Sequence, residues 1–365
     1  MSLKIAGLMV LLLPLLNGCG VLVTTEGWIN TQKRVPTKTS ALVIPAPQIQ
    51  TGDAFEENIR KFALMALFSK VVYRTDLPEE TRNLLACRHL DGEEDTFGMP
   101  TRADGSGWSR MVIKAYDKDA DTKIVSCYDK HGLYFETYAH KPPGQSEPDI
   151  AVIAIRGTEN YNLYQRVRDW SSNLAAIFAI DPGEYRYARE AIVPLVRHIR
   201  KEQPNIRILV TGHSLGGGIA QQIAYLSTDI EAAYVFDSSP ITNWSYLAAK
   251  KPSPLPPNYD PVIYRVHHLN EFLQIPRFIT TRLTSTRINR SDYEFYFQNS
   301  GSIGDHEMSI LACNFAMHIV QGDGHFDYPA EFARSVLNTY EICPIKLWKR
   351  NPDMTLFIDW GDAAP

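Results

Sequence analysis

The sequence predicts an α/β fold: a mainly parallel central sheet with helices on both faces. Three observations carry this. Residues 150–155 are a short, continuous apolar run, as in a strand buried on both faces, and residues 206–210 read as the next buried strand. Stretches with helical apolar spacing alternate with such runs through the middle of the chain. A glycine-flanked serine, Gly212-His-Ser-Leu-Gly216, separates a strand-like run from a helix-like one.

Taken in order, the first expected element is an address. Lys4 precedes an almost wholly apolar run over residues 5–16. That run is too short to cross a bilayer core of roughly 30 Å as a helix and has the length of a signal-peptide core. Residues 20–50 are polar and hold Pro36, Pro45 and Pro47, so they read as a tether. Asp53 with Glu56 has capping-box spacing. After it Phe55, Ile59, Phe62, Ala63, Ala66 and Leu67 share one helical face. Residues 77–107 are charged and rich in turn formers, and read as mostly loop. Segments near 108–116, 122–128 and 132–139 alternate or are β-branched, as strands are.

The middle of the chain follows. After the 150–155 strand, a helix over about 184–202 buries Tyr185, Ala188, Ile192, Leu195 and Ile199, with a kink expected at Pro194. A strand over 206–210, a helix over 216–226 and strands near 232–236 and 262–266 come next. Lys251-Pro-Ser-Pro-Leu-Pro-Pro257 is a stiff extended insertion. Met308, Leu311, Ala312, Phe315 and Ile319 then form a last helical stripe.

Composition narrows the function. With 44% hydrophobic and 21% charged residues among 365, the chain is neither disordered nor a long coiled coil. A net charge of −4 leaves no global positive field for nucleic acid, which is excluded as a first partner. The five cysteines include no C-x-x-C pair and no zinc spacing.

The serine carries the chemistry. Gly212-x-Ser214-x-Gly216 between a strand and a helix has the layout of a nucleophile elbow, a strained turn that lifts the serine hydroxyl out of the sheet edge. The helix behind it presents free N–H groups to a developing oxyanion, that of Leu215 first. His213 sits beside the serine, but adjacent side chains on a tight turn diverge, so a packing role is expected for it.

The run Val210-Thr-Gly-His-Ser-Leu-Gly-Gly-Gly-Ile-Ala220 resembles the nucleophile region of the fungal-type, or class 3, lipases of the α/β-hydrolase superfamily. The resemblance extends to Ile155-Arg-Gly-Thr158, to Arg168-Asp-Trp170 with Asn173 and Leu174, and to Tyr264-Arg-Val266 leading into Asn270-Glu271. It covers about residues 150–310 and implies an α/β-hydrolase fold over 51–365. It also implies that Thr158 completes the oxyanion hole. Leu163, Val167, Trp170, Leu174, Ile177 and Phe178 have the spacing of an amphipathic helix, either a lid or an ordinary surface helix.

The acid and the base follow the serine in the chain. Asp237 and Glu271 both stand just beyond strand ends. The class 3 pattern places the acid at Glu271, where that family has aspartate. His306, in Gly304-Asp-His-Glu-Met308, precedes a helix and is similar to the family's catalytic histidine. His325 is its rival, while His318 within the helix and His267 and His268 in a strand read as structural.

The expected function is therefore hydrolysis of a lipid ester, acylglycerol or phospholipid, by Ser214, His306 and Glu271, with Thr158 and Leu215 holding the oxyanion. No cofactor or metal is called for. Arg277, Arg282, Arg287 and Arg290 read either as a solvated face or as contacts for anionic head groups. The alternatives are a non-lipolytic esterase or thioesterase, and a non-catalytic lipid-binding envelope protein. Leu16-Asn-Gly-Cys19 resembles a bacterial lipobox. It implies a signal peptide over 1–18, lipidation of Cys19, a tether over 19–50 and, with Gly20 following, an outer-membrane anchor. The other four cysteines allow two disulfides in three pairings.

Overall fold

The computed structural model describes residues 41–42, 53–74, 87, 105–118, 121–157, 183–239, 261–269, 271, 273, 290–295, 297, 306–322, 328–338, 343, 348–350 and 356–358. The expected signal peptide with Cys19, Thr158, the amphipathic stretch 163–178, the Pro-rich insertion and His325 lie outside these residues.

Nine of the described strands form one sheet. In chain order its members are β1 (Ala41–Leu42), β2 (Gly107–Arg110), β5 (Cys127–Lys130), β6 (Leu133–Lys141), β7 (Ile150–Ile155), β8 (Arg207–His213), β9 (Ile230–Phe236), β10 (Val262–His268) and β11 (Arg290–Phe295). The spatial order is β1-β11-β10-β9-β8-β7-β6-β2, with β5 also pairing with β6. From β7 to β1 every neighbouring pair is parallel. Strands β2, β5 and β7 run antiparallel to β6. The described helices are α1 (Asp53–Val71), α2 (Gly183–Glu202), α3 (Leu215–Ala224), α4 (Met308–Gln321) and α5 (Ala330–Asn338).

The period-2 alternation of a strand sorts the apolar residues into two cores. On β7, Val152 and Ala154 join α1 and α4, with Phe62, Phe68, Leu311 and Phe315. Their neighbours Ala151, Ile153 and Ile155 join α2 and α3, with Ala188, Ile192, Leu195 and Ile219. On β8, Leu209 faces the first core, and Ile208 and Val210 the second. A strand that must be apolar on both faces therefore reads as a continuous run. Each fully buried Ile or Val contributes about 1.5–3 kcal/mol to the fold.

Some elements differ from the sequence expectation. Two expected strands are each divided, giving β2 and β3 (Lys114–Asp117), and β4 (Thr122–Val125) and β5. The Ile113 N–H donates to Ser126 Oγ at 2.8 Å, and the Ser126 N–H to the Ile113 carbonyl. There the chain leaves the main sheet as the antiparallel β3–β4 ribbon. Helix α2 continues through Pro194, which removes one backbone hydrogen bond without ending the helix. Strand β11 has no counterpart among the expected elements, because Arg-Ser-Asp-Tyr-Glu-Phe holds no apolar run. Ala41–Leu42, within the stretch read as a tether, pairs with it in parallel. Two further strands, β12 (Trp348–Arg350) and β13 (Leu356–Ile358), form a small hairpin. The disulfides are Cys87–Cys127 and Cys313–Cys343.

Candidate active site

Ser214 sits between the end of β8 and the first residue of α3, with φ 54° and ψ −123°. That conformation costs a non-glycine residue on the order of 1–3 kcal/mol and persists only where neighbours over-determine it. Here they do. The Ser214 N–H donates to the Phe236 carbonyl at 3.0 Å, and the Ser214 carbonyl accepts from the Gly218 and Ser239 N–H groups. Space dictates the flanking glycines. A Cβ at Gly212 would lie 2.5 Å from the Gly216 carbonyl oxygen, and one at Gly216 only 2.3 Å from that of Ile155. The strand-to-helix turn is tight because the backbone of β7 presses on it.

His306 Nε2 lies 2.9 Å from Ser214 Oγ, and His306 Nδ1 lies 2.8 Å from Glu271 Oε2. An ionised carboxylate only accepts, so Nδ1 carries the proton and Nε2 is left to accept from the serine hydroxyl. Glu271 Oε2 also accepts the Leu273 N–H at 2.8 Å, which fixes the carboxylate across its own turn. The three side chains come from separate places: the end of β8, the segment after β10, and the residue two before α4. All three residues are buried, Ser214 to 5% and His306 to 1% exposure.

The other expected residues fall as follows. Leu215 opens α3, where the first N–H groups have no partner within the helix. Gly157, one residue before Thr158, is described: a Cβ there would lie 3.1 Å from the Ser214 Cβ. Asp237, the second acid candidate, is buried at the end of β9 with φ 39°. Its N–H donates to the Val266 carbonyl, and its Oδ1 accepts the His268 N–H at 2.7 Å. It thus braces the end of β9 against β10, and Glu271 is the acid on the imidazole. His267 and His268 lie in β10 and His318 in α4, as expected. Burial brings His268 and His318 down to about 4.

His213 is buried, as the expected packing role requires, and both its ring nitrogens also have partners. Its Nε2 lies 2.8 Å from the His306 carbonyl oxygen, and its Nδ1 2.6 Å from the Tyr73 hydroxyl. Burial, and then the neighbouring His306, hold its pKa well below the usual imidazole value. Tyr73 has no signal in the sequence. It sits just after α1, in a turn ended by Arg74 at φ 53°.

Among the described residues, ring nitrogens of His213 and His306 and a carboxylate oxygen of Asp237 converge within 4.8 Å, the kind of grouping that holds a metal ion. All four ring nitrogens already have hydrogen-bond partners in Tyr73, the His306 carbonyl, Glu271 and Ser214. A cation would have to break those bonds, so the donor set does not fit one.

The sheet order, the elbow and the carboxylate–imidazole–hydroxyl line define an α/β-hydrolase fold with a serine–histidine–glutamate constellation. More narrowly, the chain belongs to the phospholipase-like family described as the Tle-like phospholipase domain, which matches residues 65–249, just over half of it. No curated protein matches the chain. Solved structures similar to it include a Rhizomucor miehei lipase in complex with its propeptide, at 19% identity and a TM-score of 0.34. That match covers 60% of this chain and 61% of the lipase, less than two thirds of the latter. Lipase II from Rhizopus niveus is 14% identical with a TM-score of 0.33, covering 63% of this chain and 78% of that one. A point mutant of MDLA from Penicillium cyclopium is 14% identical with a TM-score of 0.36, covering 71% and 87%. Likenesses at these scores transfer no residue roles.

Proposed function

We propose that the chain is a serine hydrolase that cleaves carboxylic esters of lipids, acylglycerol or phospholipid, through an acyl-enzyme. One observation carries the reading: a single imidazole stands within hydrogen-bond reach of both Ser214 Oγ and Glu271 Oε2. His306 Nε2 takes the hydroxyl proton as Oγ attacks the ester carbonyl carbon. The carbonyl electrons move onto oxygen, which the Leu215 N–H and Thr158 stabilise. When the intermediate collapses, the C–O bond to the alcohol breaks and Nε2–H protonates the leaving oxygen. Water, deprotonated by the same nitrogen, then attacks the acyl carbon; the bond to Oγ breaks, Nε2–H returns its proton to Oγ, and the fatty acid leaves. Glu271 holds the imidazole in the Nδ1–H tautomer and stabilises its cation. These steps use the chain's own residues throughout.

The phospholipase-like family supports a lipid ester over a soluble one. Export with a lipid anchor at Cys19, on the outer membrane, belongs to this proposal. Two disulfides support it, because such bonds persist in oxidising compartments.

The test is hydrolysis of a panel by wild type and Ser214→Ala: phosphatidylglycerol and phosphatidylethanolamine vesicles, triacylglycerol emulsion and a short water-soluble ester. Wild type should release fatty acid from at least one lipid, faster above the concentration at which an interface forms, and Ser214→Ala should not. Equal hydrolysis by the variant contradicts the assigned nucleophile. Cleavage of the soluble ester alone contradicts the lipid substrate.

A further inference from the structure

How the base is held deepens the hydrolase reading above and rests on it. A catalytic imidazole must keep its position to within a few tenths of an ångström. His306 stands just before α4, so its two side-chain bonds need a firm backbone behind them. That backbone is gripped from β8. A carbonyl oxygen has no hydrogen to give, so the 2.8 Å contact from His213 Nε2 to the His306 carbonyl requires the proton on Nε2. His213 Nδ1 is then the bare nitrogen and accepts from the Tyr73 hydroxyl at 2.6 Å. The two bonds form one directional chain, Tyr73 O–H to His213 Nδ1 and His213 Nε2–H to the His306 carbonyl. It joins the end of α1, the end of β8 and the residue that carries the base.

The covalent connection adds to this. His213 precedes Ser214 directly, so one dipeptide supplies the attacking hydroxyl and the donor that holds the base's main chain. The rings of His213 and His306 stand 4.7 Å apart, close enough that two cations would repel strongly. Facing His213 are Lys70 of α1, Tyr73 just after it, Asp237 just beyond β9, and Glu271 and His306. Buried in this setting, His213 remains neutral while His306 gains and loses its proton.

We propose that His213 and Tyr73 are positioning residues: the Tyr73 hydroxyl sets the tautomer of His213, and the His213 Nε2–H fixes the His306 main chain so that its imidazole spans Ser214 and Glu271. Neither touches substrate. The task of the pair is to keep the reacting atoms in line, where a displacement of about 1 Å is enough to cost about 10²-fold in rate.

The test combines kinetics with a readout independent of activity. With the hydrolysed ester from the panel, His213→Leu should lower kcat by about 10- to 100-fold with little change in KM. His213→Gln, whose side-chain N–H reaches the place of Nε2, should recover most of that loss. Tyr73→Phe should lower kcat by a smaller factor. The double variant Tyr73→Phe, His213→Leu should be no slower than His213→Leu alone, because the two act in series. Nitrogen NMR of the histidine rings in the full chain should show His213 as the Nε2–H tautomer in wild type and a mixture in Tyr73→Phe. A wild-type rate in His213→Leu, multiplicative losses in the double variant, or an Nδ1–H tautomer would each overturn the inference and leave the hydrolase reading intact. A wild type that hydrolyses no ester, with Ser214 inert to a fluorophosphonate, would overturn the hydrolase reading and this inference with it.

Discussion

Two buried glutamates stand in contrasting company. Glu271 is 2% exposed and meets an imidazole. Glu136, on β6, is fully buried and sits between guanidinium groups: Arg74 Nε lies 2.8 Å from Oε1 and Arg110 Nε 3.2 Å from Oε2. The Tyr134 and Tyr138 hydroxyls donate to the same two oxygens, at 2.5 and 2.9 Å. Burial, and then Glu136, push both phenols well above their usual pKa. The groups shown bonding Glu136 are thus guanidiniums and phenols. Glu271 instead bonds an imidazole nitrogen, on the ring whose other nitrogen faces Ser214 Oγ. A buried carboxylate by itself does not mark a reactive site; the group it bonds, and whether that group reaches a nucleophile, decides whether it steadies the fold or serves a proton transfer.

This contrast can be broken from either side. The largest expected effect is on the reactive side: Ser214→Ala should lower kcat/KM by about 10⁴-fold or more while the melting temperature stays near that of wild type. Glu271→Gln should follow, with a loss of about 10²- to 10⁴-fold in kcat, because the amide no longer selects the tautomer or steadies the imidazolium. Asp237→Asn should cost far less activity, since its carboxylate oxygen serves the His268 N–H; a loss as large as that of Glu271→Gln would reassign the acid. On the other side, Glu136→Ala should reverse the pattern. Stability should fall by about 3–5 kcal/mol in denaturant titrations, as two buried cations lose a shared anion. The kcat of the remaining folded fraction should hold within a few-fold.

A smaller effect comes from pH. His268 and His318 are buried, and each titrates at about 4 in the folded chain, below the ordinary 6.5. The folded state favours their neutral forms, so the unfolded chain binds more protons between those two values. Stability is therefore full above pH 6.5 and declines as pH falls from there toward 4. His318 packs edge-on against Phe55, 5.1 Å between ring centroids, so the cost of charging it falls on the core beneath α1. Melting temperatures across this range should show the decline, and His318→Gln should flatten it. An unchanged slope in that variant would remove His318 from the account.

The same contrast explains what can be read from the sequence. The central sheet is legible because β7 and β8 are apolar on both faces, and the elbow because glycines bracket a serine between a strand and a helix. His306 and Glu271 are reachable through their place in the chain, after the serine and beside a strand end and a helix start. Strand β11 is hidden because its apolar residue Phe295 stands among polar ones that partner other polar groups, such as Asp292 with Arg265 at 2.5 Å. The Glu136 cluster and the Tyr73–His213 contact are hidden for a related reason. They join residues far apart in sequence, 62 between Arg74 and Glu136 (136 − 74) and 140 between Tyr73 and His213. No local pattern records such a meeting. The packing role expected for His213 leaves out the contact its ring makes with the backbone of His306.

The central claim is that Ser214 becomes nucleophilic because His306 removes its proton. Its most direct test is the rate at which a fluorophosphonate modifies the serine, followed by mass spectrometry of the peptide containing residue 214. Wild type should acquire one adduct on Ser214, and His306→Ala, still folded, should react about 10³-fold more slowly or not at all. An adduct on another residue, or equal rates in the two proteins, would contradict the account.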